Sequence, residues 1–317
     1  MVKNKILTIL PYWLITISLI ISVQGGVFLF DQPPLQAQAQ QIKIEPQVLG
    51  ASTSVRGEPE VAALTPKILN TPDYSEITAK SFLVFDLASG SNLLEKNTTQ
   101  KLGIASITKL LTALVVYNNS NLNRSFQVKA KSAIKVKPVL GLIPGDEVKA
   151  LDVFNAMLIG SNNDAALALA HFAGGTNESF VALMNQQAKE IGMTNSNFAN
   201  PLGFDSDENY STAADLKLLI TKTEGLAAFS NLGRRTSYDF VGKQNWTYRA
   251  IATNKLLARH PDINAIKTGH TEYSGGAMAT KIEKNGHEIV ILVLGSANRE
   301  QDTLKLKSLV ETVFDWN

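Results

Sequence analysis

The sequence predicts an α+β domain, and three observations lead to that expectation. An apolar run at residues 81–87 stops at Ser89-Gly90-Ser91 and is followed by NLLEKN, which is the pattern of a β-hairpin. Helical patterns fill the middle of the chain, and three strand-like segments with a closing helix follow them. Strands that are segregated from helices along the chain are typical of α+β folds. We expect the first hairpin and the late strands to complete one sheet.

After the hairpin, residues 105–116 (ASITKLLTALVV) predict a helix whose apolar stripe buries it. Ser106 and Lys109 are three positions apart, so the hydroxyl and the amine lie on the same face of that helix. A serine needs a neighbouring base to become a good nucleophile, and a lysine serves as one only when burial or a second cation lowers its pKa. The same S-x-x-K spacing recurs at Ser132 and Lys135, where further lysines favour a solvated basic face.

The remaining helices and strands are predicted from the spacing of apolar residues and from the capping and turn residues between them. Ser161-Asn162-Asn163 separates two apolar helical patterns, and a third helix ends at Gly192, a typical left-handed stop. Hydroxyls at Ser211 and Thr212 predict another helix start. Asn285-Gly286 predicts a tight hairpin between the last two strands. The predicted ranges are 151–159, 164–172, 178–191 and 302–316 for helices, and 262–267, 276–282 and 288–295 for strands.

The segment before the domain predicts a membrane anchor. Lys3 and Lys5 precede a nearly uncharged run at residues 6–30. This run is longer than the roughly 7–15 residues of a signal-peptide core and meets the roughly 20 needed to span a bilayer. Lysines on its N-terminal side place that end in the cytoplasm and the rest of the chain outside. We expect residues 1–30 to be a signal anchor. The alternatives are a signal peptide cut after Ala39, which gives a secreted protein, and a buried core helix.

A linker is expected between the anchor and the domain. Residues 31–72 hold six of the eleven prolines, with Gln, Ala, Ser and Gly between them and no sustained period. This composition predicts an extended spacer or a disordered tether. We therefore divide the chain into an anchor or signal peptide (1–30), a linker (31–73) and a folded domain (74–317).

Composition excludes several classes of function. The net charge of +2, from 30 basic and 28 acidic residues, gives no electrostatic case for nucleic acid as a partner. The chain has no cysteine, which excludes thiol catalysis and cysteine-ligated zinc. His171, His260 and His287 lack the spacing of metal ligands, so neither a metal nor another cofactor is expected.

Three short motifs occur in a meaningful order: Ser106-Ile107-Thr108-Lys109, then Ser161-Asn162-Asn163, then Lys267-Thr268-Gly269. They match the S-x-x-K, S-x-N and K-T-G set of penicillin-recognising serine enzymes. Residues 77–316 resemble the low-molecular-weight penicillin-binding proteins that act as D-alanyl-D-alanine carboxypeptidases, and the extension of the third motif to K-T-G-H-T is more typical of them than of β-lactamases.

The resemblance implies a fold and a function. The fold is that of β-lactamases and DD-peptidases, an antiparallel sheet flanked by helices on both faces with the site at their junction. The function is removal of the terminal D-alanine from peptidoglycan stem pentapeptides at the outer face of the bacterial membrane, with covalent inhibition by β-lactam antibiotics. An N-terminal anchor is expected in place of the C-terminal β-domain and amphipathic anchor that some members carry.

It also implies roles for residues. Ser106 is expected to attack the carbonyl between the two D-alanines, with neutral Lys109 as the base. Ser161 relays a proton to the leaving amine and is supported by Lys267, whose charge is also expected to keep Lys109 neutral. Asn163 is expected to orient Lys109 and to bind a substrate amide, and the N–H groups of Ser106 and His270 are expected to form the oxyanion hole. The residues expected to bind substrate are Lys267, Thr268, Gly269 and Thr271. Thr268 is expected to hold the terminal carboxylate, with Arg249 or Arg299 as further candidates.

Three rival functions remain open. A class A β-lactamase needs a deacylating glutamate with an asparagine three residues on, and Glu178, Glu190, Glu208 and Glu224 do not fit that pattern. A DD-endopeptidase of wall crosslinks shares all three motifs. A non-catalytic wall-binding module leaves Ser106 and the two lysines unexplained as a set.

Overall fold

The computed structural model describes residues 66–316. The predicted anchor at residues 1–30 and most of the predicted linker lie outside this range. Within it, no helix is both long enough and apolar enough to cross a membrane.

Strands and helices alternate in blocks, as the order of the sequence patterns indicates. The strands are β1 (Lys67–Ile68), β2 (Ser81–Asp86), β3 (Asn92–Lys96), β4 (Ser125–Gln127), β5 (Glu147–Lys149), β6 (Ser237–Val241), β7 (Thr247–Ile251), β8 (Ile263–Thr271), β9 (Gly275–Lys284), β10 (His287–Ser296) and β11 (Phe314–Asp315). The helices are α1 (Thr108–Asn119), α2 (Ala150–Gly160), α3 (Asn163–Gly174), α4 (Asn177–Glu190), α5 (Ala213–Glu224), α6 (Ala227–Ser230) and α7 (Arg299–Val313).

The central sheet is antiparallel and has the strand order β3-β2-β10-β9-β8. The N-terminal hairpin joins the late strands through β2 and β10, where Leu83 lies opposite Leu292. This confirms the α+β fold and the expectation that the first hairpin completes the late sheet. Strand β8 lies at one edge, so one side of it is open to an added strand.

Both faces of the sheet are buried, which explains why β2 and β10 are continuously apolar. Successive side chains of a strand point to opposite faces. Leu83 and Phe85 therefore pack in one core with helices α1–α5, while Phe82 and Val84 pack in a second core with α7. The sheet is thus the middle layer between two groups of helices, and its edge strand β8 faces the start of α1.

Most helices begin and end where the capping residues and glycines of the sequence indicate. Thr212 caps α5 by accepting from the N–H of Asp215 at 3.1 Å. Gly192 follows α4 with φ of +89°. The closing helix was predicted at residues 302–316, and the structure has it at Arg299–Val313. It begins earlier because Asn298 caps its start by accepting from the N–H of Gln301. It ends at Val313, where the chain turns into β11 and pairs with β1.

Three small strand pairs were not predicted from the sequence: β1 with β11, β4 with β5 and β6 with β7. The first two pairs contain strands of two or three residues, which are too short to show a period of two. Strand β1 lies within the last part of the predicted linker.

Candidate active site

The first and third motifs meet where β8 lies against the turn that begins the serine–lysine helix. Ala105–Ile107 form a 3-10 turn directly before α1, and Ser106 lies at its centre. A Cβ on Gly269 would come within 2.8 Å of the Ser106 main-chain nitrogen. Only glycine therefore lets the edge strand approach the serine this closely.

Ser106 and Lys109 form a hydrogen-bonded pair. The side-chain nitrogen of Lys109 lies 2.8 Å from Ser106 Oγ. Lys109 is fully buried beneath the serine, and burial lowers the pKa of its amine to about 7. A substantial fraction of this lysine is therefore neutral near pH 7, and a neutral amine can accept the proton of a serine hydroxyl.

A loop that the sequence analysis did not single out holds the other side of Lys109. Its nitrogen donates to the main-chain oxygen of Leu202 at 2.6 Å. That loop is shaped by Asn200, whose Oδ1 accepts from the N–H groups of Leu202, Gly203 and Phe204 at 2.8–3.1 Å. The only sequence signal was the turn composition Asn-Pro-Leu-Gly, which gives no indication that a carbonyl points at a lysine.

The second and third motifs form a second serine–lysine pair. Lys267 Nζ donates to Ser161 Oγ at 2.8 Å and to the Thr268 oxygen at 3.0 Å. Burial, followed by repulsion from Lys109 and Arg299, lowers the pKa of Lys267 well below its usual range. Because the repulsion between the two buried ammonium groups is mutual, burial is the main cause of the low pKa of Lys109, and a supporting effect of the Lys267 charge stays a prediction.

Backbone strain is concentrated at the two serines. Among residues 66–316, positive φ occurs at nine glycines, at three asparagines, and at Ala105 and Ser161. Asparagine tolerates this region, whereas alanine and serine are disfavoured there, at a cost of about 1–3 kcal/mol each. The φ angles of +45° at Ala105 and +57° at Ser161 place strain next to one hydroxyl and at the other. Such strain is typical of residues whose position serves a reaction.

Asn163 forms no hydrogen bond with Lys109 among residues 66–316, although one was expected. Its side-chain amide donates to the Val136 oxygen at 2.9 Å, and its own N–H donates to the Pro138 oxygen. The neighbouring Asp164 carboxylate accepts from three successive main-chain N–H groups, at Leu140, Gly141 and Leu142. In the part of the chain described here, Asn163 thus anchors the 136–142 loop beside the site, and orientation of Lys109 falls to Leu202.

The residues that follow Lys267 and Thr268 on strand β8 have three different surroundings. Gly269 offers its carbonyl to Arg299, whose guanidinium donates at 2.6 Å. The Thr271 hydroxyl donates to Asp205 at 2.7 Å and accepts from the N–H of Ser274, so it is bonded within the β8–β9 turn, and its role in substrate binding stays a prediction. The His270 side chain is exposed.

The two arginines suggested for the terminal carboxylate have different surroundings. Arg299 is beside the third motif through its bond to Gly269. Arg249 instead forms an exposed ion pair with Asp239 on the β6–β7 hairpin. Arg299 is the candidate that the structure places at the site.

The second S-x-x-K copy is not a catalytic pair. Ser132 is buried and its hydroxyl is 2.7 Å from His171 Nδ1, whereas Lys135 is exposed. The lysines around it are exposed, as expected for a solvated basic face. Ser132 turning inward was not predicted.

The fold and the two hydrogen-bonded serine–lysine pairs are similar to those of serine hydrolases in which a lysine takes the place of histidine as the base. Residues 67–298 match the Peptidase_S11 family model, described as D-alanyl-D-alanine carboxypeptidase. This match covers well over half of the chain, and the chain therefore belongs to the D-alanyl-D-alanine carboxypeptidase family.

Several curated proteins resemble the chain. The D-alanyl-D-alanine carboxypeptidase DacC of Escherichia coli is 30% identical over 69% of this chain and 57% of its own length. DacF of Bacillus subtilis is 27% identical over 74% of this chain and 62% of its own length. The chain thus spans about three fifths of these carboxypeptidases. The D-alanyl-D-alanine endopeptidase of E. coli is 29% identical, and the match covers 75% of this chain and 78% of that protein.

Solved structures agree on the fold. The Streptomyces K15 DD-transpeptidase superposes with a TM-score of 0.70 at 25% identity, over 76% of this chain and 98% of that one. A D-alanyl-D-alanine carboxypeptidase from Mycobacterium tuberculosis gives a TM-score of 0.69 at 26% identity, over 77% and 95% of the two chains.

Proposed function

We propose that this chain is a serine D-alanyl-D-alanine carboxypeptidase that removes the terminal D-alanine from peptidoglycan stem pentapeptides. One observation carries the proposal: the buried amine of Lys109 lies 2.8 Å from the Ser106 hydroxyl and has a pKa of about 7. A general base whose pKa is close to the operating pH is largely in the form that accepts a proton and is still basic enough to take one.

The first step forms an acyl-enzyme. Lys109 takes the Ser106 proton as Oγ attacks the carbonyl carbon between the two D-alanines. The developing oxyanion accepts from the main-chain N–H groups of Ser106 and His270, each worth roughly 10²–10³ in rate for such a site. The positive end of α1 adds to this stabilisation, since Ser106 lies immediately before that helix.

The second step releases D-alanine. The leaving nitrogen must gain a proton as its bond to the carbonyl carbon breaks. Ser161 is the donor, and it passes on the proton that Lys109 took from Ser106. Lys267 holds the Ser161 hydroxyl in place at 2.8 Å. Water then attacks the ester on Ser106, with Lys109 as base, and frees the shortened peptide as a carboxylate.

Substrate binding uses the edge of the sheet. An extended peptide adds to β8 as a further strand through main-chain bonds at Thr268 and Gly269. Asn163 contributes by fixing the 136–142 loop on the opposite side of the cleft. Thr268 and Arg299 supply a hydroxyl and a cation for the terminal carboxylate. A β-lactam acylates Ser106 in the same way and leaves slowly.

The N-terminal segment gives the proposed location. Residues 6–30 hold the domain at the outer face of the bacterial membrane, where its substrate is assembled. Cleavage near Ala39 gives a secreted form of the same enzyme. Mass spectrometry of the N-terminus in membrane and soluble fractions distinguishes the two.

A second candidate is a DD-endopeptidase, because the D-alanyl-D-alanine endopeptidase of E. coli is 29% identical to this chain, compared with 27% and 30% for the two carboxypeptidases. Incubating the full chain in detergent with a stem pentapeptide and with a crosslinked dimer, and weighing the products, separates them. Loss of one alanine from the pentapeptide supports the carboxypeptidase, and cleavage of the dimer alone supports the endopeptidase. No product from either peptide contradicts both.

A further inference from the structure

A long stretch of the chain carries positive charge with no acid to balance it. Residues 96–145 contain eight lysines and arginines and no aspartate or glutamate, whereas the whole chain has a net charge of only +2. Five of these cations are exposed between the end of α1 and the start of β5: Arg124, Lys129, Lys131, Lys135 and Lys137. None of the five is in an ion pair within residues 66–316. We call residues 124–137 the basic segment.

Carboxylates beside the basic segment leave most of its charge in place. Glu147 forms an exposed ion pair with Lys243, so it has its own cation. Asp146 is buried and accepts a hydrogen bond from the Tyr248 hydroxyl at 2.7 Å. Glu178, at the start of α4, is exposed and attracts Lys131. These acids do not cancel five exposed cations, and the surface stays positive.

The basic segment is held to helix α3 and to the turn before β5. The hydroxyl of Ser132 lies 2.7 Å from His171 Nδ1, and the main-chain oxygen of Val136 accepts from the Asn163 amide at 2.9 Å. At its other end, the main-chain oxygen of Val128 accepts from the N–H of Gly145 at 2.9 Å. A surface whose backbone is already fixed loses less conformational entropy when it binds a partner.

The tip of the β6–β7 hairpin adjoins the basic segment and carries exposed apolar side chains. The amides of Gln127 and Gln244 both donate to the main-chain oxygen of Gly145, at 3.3 and 3.2 Å. This shared carbonyl joins the hairpin tip to the basic segment. Val241 and Trp246, at the two ends of the tip, are each at least half exposed. The positive surface therefore continues into an apolar one.

Lysines beside exposed apolar and aromatic side chains fit the surface of a membrane that contains anionic lipids. Val136 is also more than half exposed, and it lies between Lys135 and Lys137. Tryptophan is enriched at membrane–water interfaces, and surfaces that combine basic and apolar side chains bind anionic lipids. A soluble polyanion would pair with the lysines but would leave Trp246 and the valines in water. The proposed anchor belongs to the same chain, so it keeps a membrane at high effective concentration.

We propose that the basic segment and the hairpin tip (residues 241–246) together dock on the anionic lipid surface of the membrane. The inference rests on the proposed location of the enzyme. Each lysine or arginine near such a surface strengthens binding by roughly fivefold. Val136 also belongs to the loop that Asn163 holds beside the cleft, so docking places the cleft next to the lipid surface. The enzyme then acts on stem peptides close to the membrane in preference to those farther out in the wall.

The test measures the acetylation of lysines by mass spectrometry on the full chain, reconstituted in vesicles of phosphatidylcholine with or without phosphatidylglycerol. We expect about one third of phosphatidylglycerol to slow the labelling of the four lysines of the basic segment by at least about fivefold. Lys189, which is exposed on α4, is the internal control and keeps its rate. Salt at about 1 M, where the Debye length is about 3 Å, should remove most of the protection. Equal labelling in the two kinds of vesicle overturns the inference.

Two double variants separate docking from a general effect of charge. Lys131→Gln with Lys135→Gln removes two of the five cations, and we expect Lys129 and Lys137 to lose most of their protection. Lys189→Gln with Lys222→Gln removes the same charge from exposed positions outside the docking surface and is the matched control. Equal protection in the two double variants overturns the inference. Protection by soluble polyphosphate in phosphatidylcholine vesicles, with none by phosphatidylglycerol, also overturns it and indicates a polyanion as the partner.

Trp246 gives a second measurement that does not depend on the lysines. Brominated phosphatidylglycerol should quench more fluorescence from the wild type than from Trp246→Tyr, and the difference isolates this residue among the three tryptophans of the chain. Equal losses of fluorescence in the two proteins show that the hairpin tip stays in water and overturn its part in docking. A chain that does not remain with phosphatidylcholine vesicles contradicts the proposed anchor, and one that releases no alanine contradicts the proposed enzyme. In both cases the labelling with phosphatidylglycerol still decides the docking.

Discussion

The amine of Lys109 donates a hydrogen bond to the main-chain oxygen of Leu202 at 2.6 Å, in addition to its contact with Ser106 Oγ at 2.8 Å. A neutral amine has two N–H groups and one lone pair. When one N–H is held by the Leu202 carbonyl, the lone pair can face the serine proton. Leu202 therefore orients the base, although its side chain has no part in the chemistry.

Asn200 is expected to act through this carbonyl. Asn200→Ala removes the acceptor of three main-chain N–H groups, so the loop no longer fixes Leu202 and Lys109 loses its orientation. We expect acylation by a fluorescent penicillin to slow by roughly 10–100-fold. Asn200→Asp retains the acceptor oxygen and restores most of the rate. A loss of thermal stability with an unchanged acylation rate would assign Asn200 a structural role only.

Ser106→Ala should abolish covalent labelling by a fluorescent penicillin, because the ester to the enzyme forms on that hydroxyl. The fold should remain intact, since the hydroxyl faces the cleft and its removal opens no cavity in the core. Gel fluorescence measures the covalent labelling, and circular dichroism shows whether the fold is intact. Ser132→Ala, in the second copy of the motif, is the matched control and keeps its label. Persistent labelling of Ser106→Ala excludes this residue as the nucleophile.

The sequence predicted the sheet and the two serine–lysine pairs for identifiable reasons. Strands buried on both faces are continuously apolar. Helical spacing brings Ser106 and Lys109 within reach of each other, and the order of the three motifs distinguishes this pair from Ser132 and Lys135, which have the same spacing. The hydrogen bond from Lys109 to the main-chain oxygen of Leu202 could not be predicted in this way. Every residue has a main-chain carbonyl, so the residue type gives no sign of which carbonyl accepts from the lysine. The amide of Asn163 had two plausible partners, and the choice of Val136 over Lys109 depends on how the 136–142 loop folds.

Lys109→Ala should lower the rate of penicillin acylation by roughly 10²–10⁴-fold, which is the usual contribution of a general base. Lys135→Ala is the matched control, because Lys135 has the same spacing from a serine but is exposed. We expect it to acylate at the wild-type rate. Stopped-flow labelling gives both constants, and equal effects of the two substitutions contradict the assignment of the base.

The pKa of Lys109 predicts how activity depends on pH. Protonated Lys109 cannot accept the serine proton, so kcat/KM for a D-Ala-D-Ala peptide should rise as pH increases through about 7. A profile that is flat between pH 5.5 and 8.5 (about 1.5 units to each side of this pKa) shows that another group is the base. Lys135→Met serves as the control and keeps the wild-type profile.

Stability should rise with pH for the same reason. The folded pKa of Lys109 is below its value of 10.5 in an unfolded chain, so the unfolded state binds more protons between about pH 7 and 10.5. The free energy of unfolding then increases by up to about 1.4 kcal/mol per pH unit from this lysine. Urea unfolding of Lys109→Met at pH 7 and pH 9.5 should show a smaller increase than wild type. Lys267 contributes in the same direction, so the increase is reduced and not abolished.

Gly269→Ala should separate the edge strand from the nucleophile. The new Cβ would lie 2.8 Å from the Ser106 nitrogen and 3.0 Å from the Ala105 Cβ, and both of these atoms belong to a strained turn that cannot yield easily. We therefore expect β8 to shift outward and acylation to slow by at least about 100-fold, because small displacements of reacting groups cost that much. Gly225→Ala is the matched control, since its nearest contact is 3.7 Å away and its φ is −72°. If Gly269→Ala acylates as fast as Gly225→Ala, the close packing of β8 on the 3-10 turn is not what positions the serine.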